Sequence, residues 1–516
     1  MAMGLAGTMD NDKEPVAGLS AASSCIRLSI CLGKQQQPAP SFHPVYTHQS
    51  FPDEFISGWR PQPNAEQASK QIYQDWKCKG NGDDIHSSYK NISDAQKQLD
   101  VNVLLSPSCD KCKIEVHTTS SQQQIATDEP PTKKIKKVTF EIADDNDDDQ
   151  DVVQNQSVDE VIKRMQSSIP PIVSVTVDGI STSSTEGDND IQFNYLSQPI
   201  GNVLKSYSRK IKYNDGTIEE GNFVITLANA AADPSVASYH NAVQPLARWF
   251  IETADDVNVA DKDGGGFWSV LYLFRKHDNL VDGTTTTTPT CFFSLAGYVT
   301  LFHFNAPFKK PEPGIIVRIC QALILPLYQR SGHGSELLLS VHDYAERYTK
   351  EFAIPPTGGM DIVEVNVEDP APGFIALRDY IDYQRFISLI STENNSKFDN
   401  KYLEMNQVNS REYFQQAPNE STLALSSLLK ITKRQIEIIH EIYKLAAVEK
   451  WKQDSKDTQQ INQVETYYRL MIKKSLKSYR TEELGACEGG KEEQKALLAK
   501  WFEETYSHYR KLLIRN

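Results

Sequence analysis

The amino-acid sequence predicts an α+β protein, in which a mixed sheet with flanking helices follows a small N-terminal α/β domain and precedes a C-terminal helical domain. Several short apolar or alternating runs before Pro326 are typical of strands. Between Ile315 and Tyr348 one such run leads through two glycines into a helical pattern, and helical spacing takes over beyond about Phe386. With 516 residues, the chain is long enough to form two or three domains.

The N-terminal part contains three runs that predict strands of the small α/β domain. These runs are Cys25–Cys31, Val101–Leu105 and Ile114–His117. From Thr119 the composition changes to Gln-rich sequence, then to a lysine cluster at 133–137 and an acidic block at 144–151. Too few apolar groups remain there to offset the entropy of the chain, so we expect this insert to be disordered. The lysine cluster has the composition of a nuclear import signal or of solvated charge.

The middle of the chain contains two strand-like runs, Phe267–Phe274 and Cys291–Leu301, separated by the low-complexity piece Thr284–Thr288. They predict a hairpin with a long tip. Farther on, apolar residues recur every three or four positions in Leu425–Val448 and from Glu493 to Leu513, which predicts helices. We therefore expect a disordered N-terminus (1–22), an α/β domain (23–118), a disordered insert (119–158), the mixed-sheet domain (159–385) and a helical domain (386–516).

Composition narrows the class of protein. The net charge of -14 is unfavourable for binding a DNA backbone but suits a cationic partner, or simple solubility. No apolar run approaches the roughly 20 residues of a membrane-spanning helix, and no signal pattern opens the chain. The eight cysteines lack the spacing of a disulfide-rich secreted domain, which favours a reducing compartment. Cys109 and Cys112 form a C-x-x-C without a second pair, so we expect unpaired thiols and no metal.

The most informative stretch is an apolar strand, Val317–Leu325, that breaks at Pro326 and leads through Gln329–Gly334 into a helix. The N-terminus of a helix offers unpaired N–H groups and a partial positive charge, and glycines allow a phosphate to approach the main chain. Gly332 and Gly334 would supply that access. By itself the pattern is equally typical of a tight turn, and it matches neither a P-loop nor a dinucleotide fingerprint. Apolar spacing predicts a buried helix face made of Leu337, Leu338, Val341, His342 and Ala345.

The loop resembles the Gln/Arg-x-x-Gly-x-Gly/Ala loop of the Gcn-five-related N-acetyltransferase (GNAT) superfamily, with Gln329, Gly332 and Gly334 in register. Four further segments, in the same order, resemble the catalytic subunit of type B histone acetyltransferases. They are Tyr46-Thr47-His48-Gln49, Trp249-Phe250-Ile251-Glu252-Thr253-Ala254, Leu323-Ile324-Leu325, and Glu368-Asp369-Pro370 with Leu377-Arg378-Asp379. The resemblance runs from about Cys25 to about Arg385 and continues faintly into the C-terminal part.

The resemblance implies a GNAT-type mixed sheet whose fourth and fifth core strands, Val317–Leu325 and Asp361–Val367, splay apart around the pantetheine arm of acetyl-coenzyme A. The cofactor contacts it implies are Ala322, Leu323, Ile324, Gln329, Arg330, Ser331, Gly332, His333, Gly334, Ser335, Ala371 and Phe374. At Ala371-Pro372-Gly373 the chain departs from the family, which usually has Asn or Ser directly after Glu-Asp-Pro. The departure removes a side-chain acceptor that could cap the next helix or meet the cofactor.

Acetyl transfer to lysine needs a base, because the amine has a pKa of about 10.4 in solution. Glu368 is the first candidate, since it ends an alternating strand at the edge of the implied cleft; Glu252 could share the task and Asp369 could orient it. We expect a backbone N–H near Leu323 to face the thioester oxygen. Cys320 is expected in the core, and no metal or covalent cysteine intermediate is needed. The ring of His333 is expected to be a spectator inside the loop.

The family acetylates the N-terminal tail of newly made histone H-four, works with a WD40-repeat histone-binding partner, and is found in nucleus and cytoplasm. By resemblance, Asp53 and Glu54 form one tail-binding loop, and Phe302-His303-Phe304 forms a second. Acidic groups attract a basic tail and aromatic faces pack its aliphatic stems. Two alternatives remain open: a histone-binding or chaperone protein with little catalysis on the same fold, and a GNAT enzyme for another amine, such as a polyamine or a protein N-terminus.

Overall fold

The computed structural model describes residues 26–31, 41–42, 44, 98–119, 158–177, 180–181, 194–212, 216–251, 254–261, 266–278, 291–351, 360–391, 408–415, 419–455, 457–487 and 489–514. These residues form two six-stranded sheets and a group of C-terminal helices. The predicted mixed α+β class is therefore confirmed.

The first sheet has the strand order β2-β1-β3-β4-β5-β6. Its strands are β1 (Ile26–Ile30), β2 (Ser41–Phe42), β3 (Gln98–Leu105), β4 (Cys112–Thr119), β5 (Ile172–Val177) and β6 (Ile180–Ser181), and helix α1 (Val158–Met165) lies between β4 and β5. The three strand-like runs of the N-terminal part fall on β1, β3 and β4. The expected boundary at residue 159 differs from the structure, because β5 pairs in parallel with β4 and so belongs to this first sheet.

The second sheet has the order β12-β11-β10-β9-β8-β7. Its strands are β7 (Asn202–Lys212), β8 (Ile218–Ala228), β9 (Gly266–Asp278), β10 (Cys291–Ala306), β11 (Gly314–Ile324) and β12 (Ile362–Val367). All neighbours are antiparallel except β11 and β12, which are parallel and joined through helix α3 (His333–Glu351). The predicted hairpin corresponds to β9 and β10, whereas the low-complexity tip between them lies outside the described residues.

One apolar core joins the two sheets, since buried residues from Ile26 to Ile381 form a single cluster. Helix α2 (Pro234–Val243), followed by the 3₁₀ turn Gln244–Trp249, lies at this junction. Its Tyr239 hydroxyl donates to Ser108 O over 2.8 Å, and the N–H of Leu295 donates to Pro107 O over 2.9 Å. The hairpin turn between β3 and β4 is therefore fixed against the second sheet.

The C-terminal helices surround a second core. They are α4 (Pro372–Ser391), α5 (Asn419–Leu429), α6 (Lys433–Asp454), α7 (Thr458–Tyr479), α8 (Thr481–Gly485) and α9 (Gly490–Ile514). Helix α4 crosses the predicted domain boundary at residue 385: Ile381 packs in the first core and Tyr383 and Phe386 pack in the second. The run Leu425–Val448 is two helices, because Lys430 has a φ of 53° that ends α5. Within the described ranges, no helix combines the length and apolar character needed to cross a membrane.

Candidate functional site

The glycine loop connects the end of β11 to the first turn of α3. The buried side chain of Tyr328 anchors a 3₁₀ turn (Pro326–Tyr328), and the Gln329 amide donates to Ile324 O over 2.8 Å. Arg330 and Gly332 then adopt left-handed conformations with φ of 62° and 84°. Both residues are exposed, so the outer surface of the loop is open. Helix α3 starts at His333, with its first unpaired N–H groups next to this surface.

Gly334 lies where a side chain would meet the neighbouring helix α4. A Cβ on Gly334 would lie 3.0 Å from Cδ2 of Leu377, which belongs to α4. Gly334 therefore allows α4 to pack closely against α3, whereas Gly332 supplies the exposed left-handed turn. The expectation that both glycines give a phosphate access to the main chain stays a prediction, because the Leu377 contact concerns only the side of Gly334 on which a Cβ would stand.

The ring of His333 is buried beneath the loop. Its Nδ1 lies 2.8 Å from the hydroxyl of Tyr207, and its ring centroid is 4.3 Å from that of Phe223. Burial, reinforced by the nearby Arg209 charge, lowers the pKa of His333 to about 4. The imidazole is thus neutral at pH 7 and points into the core, so that only the main chain of His333 is available to a ligand at the loop.

Three charged groups next to the loop were not found from the sequence. Glu336, in the first turn of α3, accepts from Arg209 and lies 2.8 Å from Nζ of Lys205. Burial opposes ionisation of Glu336, but the two cations outweigh it and lower its pKa. The Arg209 guanidinium lies 3.7 Å from where a Cβ on Gly332 would stand. Every second residue of β7, Lys205-Tyr207-Arg209, faces α3, and this alternation of cations around an aromatic ring is the sequence signal that was available.

Strands β11 and β12 part at a defined point. Their pairing runs from Ile315 to Ile319, where the N–H of Glu368 donates to Ile319 O over 3.0 Å. Strand β12 then ends, but β11 continues to Ile324. Residues 320–324 therefore have an edge that β12 does not cover.

The uncovered edge presents the main chain of alternate residues. The N–H of Leu325 donates to Ala296 O over 2.9 Å, on the side of β10. Because main-chain groups alternate sides along a strand, those of Leu323 also face β10, whereas those of Ala322 and Ile324 face the uncovered edge. A main-chain donor near Leu323 stays a prediction, and the N–H groups of Ala322 and Ile324 are the ones on that edge. At about 3.3 Å per residue, the stretch of β11 from Ile319, beside Glu368, to Ile324, before the glycine loop, is about 17 Å long.

Glu368 lies at the point where the strands part, with its side chain 50% exposed. Its Oε1 is 3.7 Å from Nη1 of Arg318. Burial, followed by the neighbouring Glu368 carboxylate, raises the pKa of the Cys320 thiol to about 12. Cys320 is thus a protonated thiol at neutral pH, at the edge of the site rather than deep in the core.

The residues after Glu368 lead directly into α4. Asp369 is exposed and has a φ of 35°. The N–H groups of Phe374 and Ile375 both donate to Ala371 O, over 2.9 and 3.0 Å. Ala371 is therefore the residue that begins α4, and it is exposed without a side-chain acceptor to cap the helix.

The segment Phe302-His303-Phe304 divides between two faces of the sheet. Phe302 and Phe304 stack with ring centroids 6.1 Å apart, and Trp268 packs 4.8 Å from Phe302. We call Trp268, Phe302 and Phe304 the aromatic strip. His303 is 1% exposed on the opposite face, where its Nε2 is 2.9 Å from the Tyr344 hydroxyl. Burial lowers the pKa of His303 to about 4. The expectation that His303 contacts a substrate together with the two phenylalanines is corrected by this burial.

Several expected residues lie outside the described part of the chain. They are Glu252, Asp53 and Glu54, together with the Tyr46–Gln49 segment and the acidic block. Cys109 and Cys112 are described, and both are buried free thiols. Burial raises the pKa of Cys112 to about 12. In the described residues, no group of three or more His, Cys, Asp or Glu side chains is arranged to hold a metal ion.

The fold and the site define a mixed α+β protein with an exposed glycine loop and a carboxylate at opposite ends of an uncovered strand edge. No protein-family profile matches the chain. Type B histone acetyltransferase catalytic subunits from Dictyostelium discoideum, Homo sapiens and Mus musculus are 28%, 27% and 26% identical to it over 246, 319 and 320 residues. The matches cover 48%, 62% and 62% of this chain, and the chain spans 44%, 61% and 61% of those proteins. The resemblance to the type B family is thereby confirmed.

Proposed function

We propose that this chain is a lysine acetyltransferase on a GNAT-type sheet, which transfers acetyl from acetyl-coenzyme A to the N-terminal tail of newly made histone H-four. The observation that carries the proposal is the uncovered edge of β11, with the glycine loop at one end and Glu368 at the other. An extended ligand bound by its phosphates at the loop would run along this edge toward the carboxylate. The names of the curated relatives support the same activity.

The loop and the strand edge would hold the donor. Main-chain N–H groups from Arg330 to Ser335 suit a diphosphate, because the start of α3 carries a partial positive charge. The main chain of Ala322 and Ile324 can pair with amides of an extended arm in the manner of an added strand. Phe374, half-buried at the start of α4, is proposed to contact the donor as well.

Glu368 is proposed as the general base. Its exposed carboxylate accepts a proton from the lysine ammonium, and the resulting amine attacks the thioester carbonyl. A C–N bond forms, the C–S bond breaks and the coenzyme leaves as a thiol once it gains a proton. Glu252 is proposed to share this task, and Asp369 to orient the base or relay the proton. The pKa of Cys320, about 12, leaves its sulfur protonated and argues against a covalent cysteine intermediate.

The acceptor tail is proposed to bind across the aromatic strip. Phe302 and Phe304 can pack the aliphatic stems of basic side chains, and Asp53 and Glu54 are proposed to attract their charges. The net negative charge of the chain favours binding of such a basic tail. A WD40-type histone-binding partner and residence in nucleus and cytoplasm are part of the same proposal.

A thiol-release assay tests the activity. Purified protein should release free thiol from acetyl-coenzyme A in the presence of a histone H-four tail peptide, but not of the same peptide with its lysines replaced by glutamine. Glu368→Gln should lose about 10²–10⁴-fold in kcat, the usual contribution of a general base, and still bind the coenzyme. Glu312→Gln, an exposed carboxylate between β10 and β11, is the matched control. Absence of thiol release by the wild type would reject the proposal, and full activity of Glu368→Gln would reject this base.

A binding protein with little catalysis is the second candidate. It is favoured by Ala371, which offers no side-chain acceptor where α4 begins beside Glu368. Tail binding that is indifferent to acetyl-coenzyme A, without thiol release, would support it. A GNAT enzyme for another amine is separated by including spermidine and a peptide with a free N-terminus in the assay.

A further inference from the structure

Arg318 lies in the middle of the proposed acceptor site. Its guanidinium carbon is 5.2 Å from the centre of the Phe304 ring, and its Nη1 is 3.7 Å from Oε1 of Glu368. Its Nε lies 3.4 Å from Oδ1 of Asn366. A cation of this chain therefore stands between an aromatic face and the carboxylate proposed as the base.

These surroundings are the ones that a lysine side chain from a substrate would need. The ammonium group would approach the Glu368 carboxylate, and its methylene stem would pack on the Phe304 ring. Arg318 and a substrate lysine would thus contact the same two groups, the Phe304 ring and the Glu368 carboxylate. Because both are cations, they cannot occupy the place together without repulsion.

The contacts of Arg318 are loose enough to be exchanged. The distances of 3.7 and 3.4 Å lie beyond those of good hydrogen bonds. The Arg318 and Glu368 side chains are 40% and 50% exposed, so that water already screens the pair. Lys309, which lies between β10 and β11, forms a closer pair with Glu364 on β12. The Glu364 side chain is only 9% exposed. Glu364 therefore pairs closely with Lys309, whereas the ion pair between Glu368 and Arg318 is weak.

We infer that Arg318 is an internal competitor of the substrate lysine, an inference that rests on the proposed function. In the free protein it occupies the acceptor position between Phe304 and Glu368. An incoming lysine displaces it and takes both contacts. Once acetylated, the lysine is neutral and no longer attracts Glu368, so Arg318 returns and favours release of the product. Arg318 would thus reduce the affinity both for the substrate and for the acetylated product.

Calorimetric binding of the histone H-four tail peptide, unacetylated or acetylated, in the presence of coenzyme A tests this role. Arg318→Gln removes the cation and should tighten binding of either peptide, by up to about fivefold as expected for an exposed ion pair. Arg318→Lys keeps the cation and should bind as the wild type does. Lys309→Gln removes the same charge from the same region without touching Glu368, and should change neither affinity.

The outcomes separate this role from others. If Arg318→Gln binds the peptide as the wild type does, or more weakly, Arg318 is not a competitor. An equal gain in Lys309→Gln would mean that net charge, rather than the place of Arg318, sets affinity. Circular dichroism and thermal unfolding of each variant show whether it is folded, and Arg318→Met serves as a second neutral variant. The binding readout needs no turnover, whereas missing thiol release from the wild type would reject the proposed function alone.

Discussion

Replacing Gly332 with alanine should destabilise the protein, whereas replacing Gly334 with alanine should change its stability little. At Gly332 the φ of 84° is left-handed, which costs an alanine about 1–2 kcal/mol. Space is not the obstacle there, because the nearest atoms to a new Cβ are those of Arg209 at 3.7–3.8 Å. At Gly334 the backbone is helical, so alanine gains about 1 kcal/mol in helix propensity. That gain opposes the 3.0 Å approach to Leu377 Cδ2, which is the mobile end of a side chain.

We therefore expect Gly332→Ala to lose about 1–2 kcal/mol in the free energy of unfolding, and Gly334→Ala to stay within about 1 kcal/mol of the wild type. If the loop relaxes to relieve the strain at Gly332, affinity for acetyl-coenzyme A should fall by about 5- to 30-fold. Urea unfolding measures the first quantity and calorimetric titration the second. The reasoning is refuted if Gly332→Ala is neutral in both measurements while Gly334→Ala loses more than about 2 kcal/mol.

Three further predictions concern the surroundings of the site. Glu336→Gln should lower the free energy of unfolding at pH 7. The difference from wild type should shrink as the pH falls below 4.5, because Glu336, whose pKa is lowered in the folded protein, stabilises the fold only while it is ionised. Unfolding of both proteins at a series of pH values measures this difference. His303→Gln should leave the Kd of the tail peptide unchanged, and a changed Kd would mean that His303 contacts the peptide. The wild type should lose stability between pH 6.5 and 4, because protonation of the buried ring opposes folding, and His303→Gln should lose less stability over that range. Ala371→Ser should raise stability by about 1 kcal/mol through a new cap on α4, read from the shift in Tm.

Elements whose pattern is local were predictable. The face of α3 was read from spacing alone, and Leu337, Leu338 and Val341 are indeed buried. The break between α5 and α6 was not predicted. Lys430 takes its left-handed conformation because its carbonyl accepts from Val365 N–H and its Nζ donates to Ala345 O, each over 2.8 Å. Both partners are distant in sequence, so the left-handed turn itself had no local signal, although Thr432 and Gln435 carry a capping pattern that marks the start of α6.

The candidate site shows the same division. The strand, the glycine loop and Glu368 follow one another along the chain and were predicted together. The ion pair between Arg209 and Glu336 joins residues 127 positions apart, which spacing cannot reveal. Side-chain direction was also beyond the sequence: His303 and its two neighbours look like one aromatic segment, but a strand sends alternate residues to opposite faces. Burial under α3 then decides which of them a ligand can reach.

The uncovered edge of β11 also affects how the protein can change over evolutionary time. Recognition through amide groups depends little on which side chain follows, since every amino acid except proline carries the same donor. The half-buried Cys320, Ala322 and Ile324 are therefore freer to vary in chemistry than Gln321 and Leu323, whose side chains are buried. Under the proposed function, donor binding would tolerate side-chain changes at these three positions, whereas substitutions that move the strand as a whole would be the damaging ones.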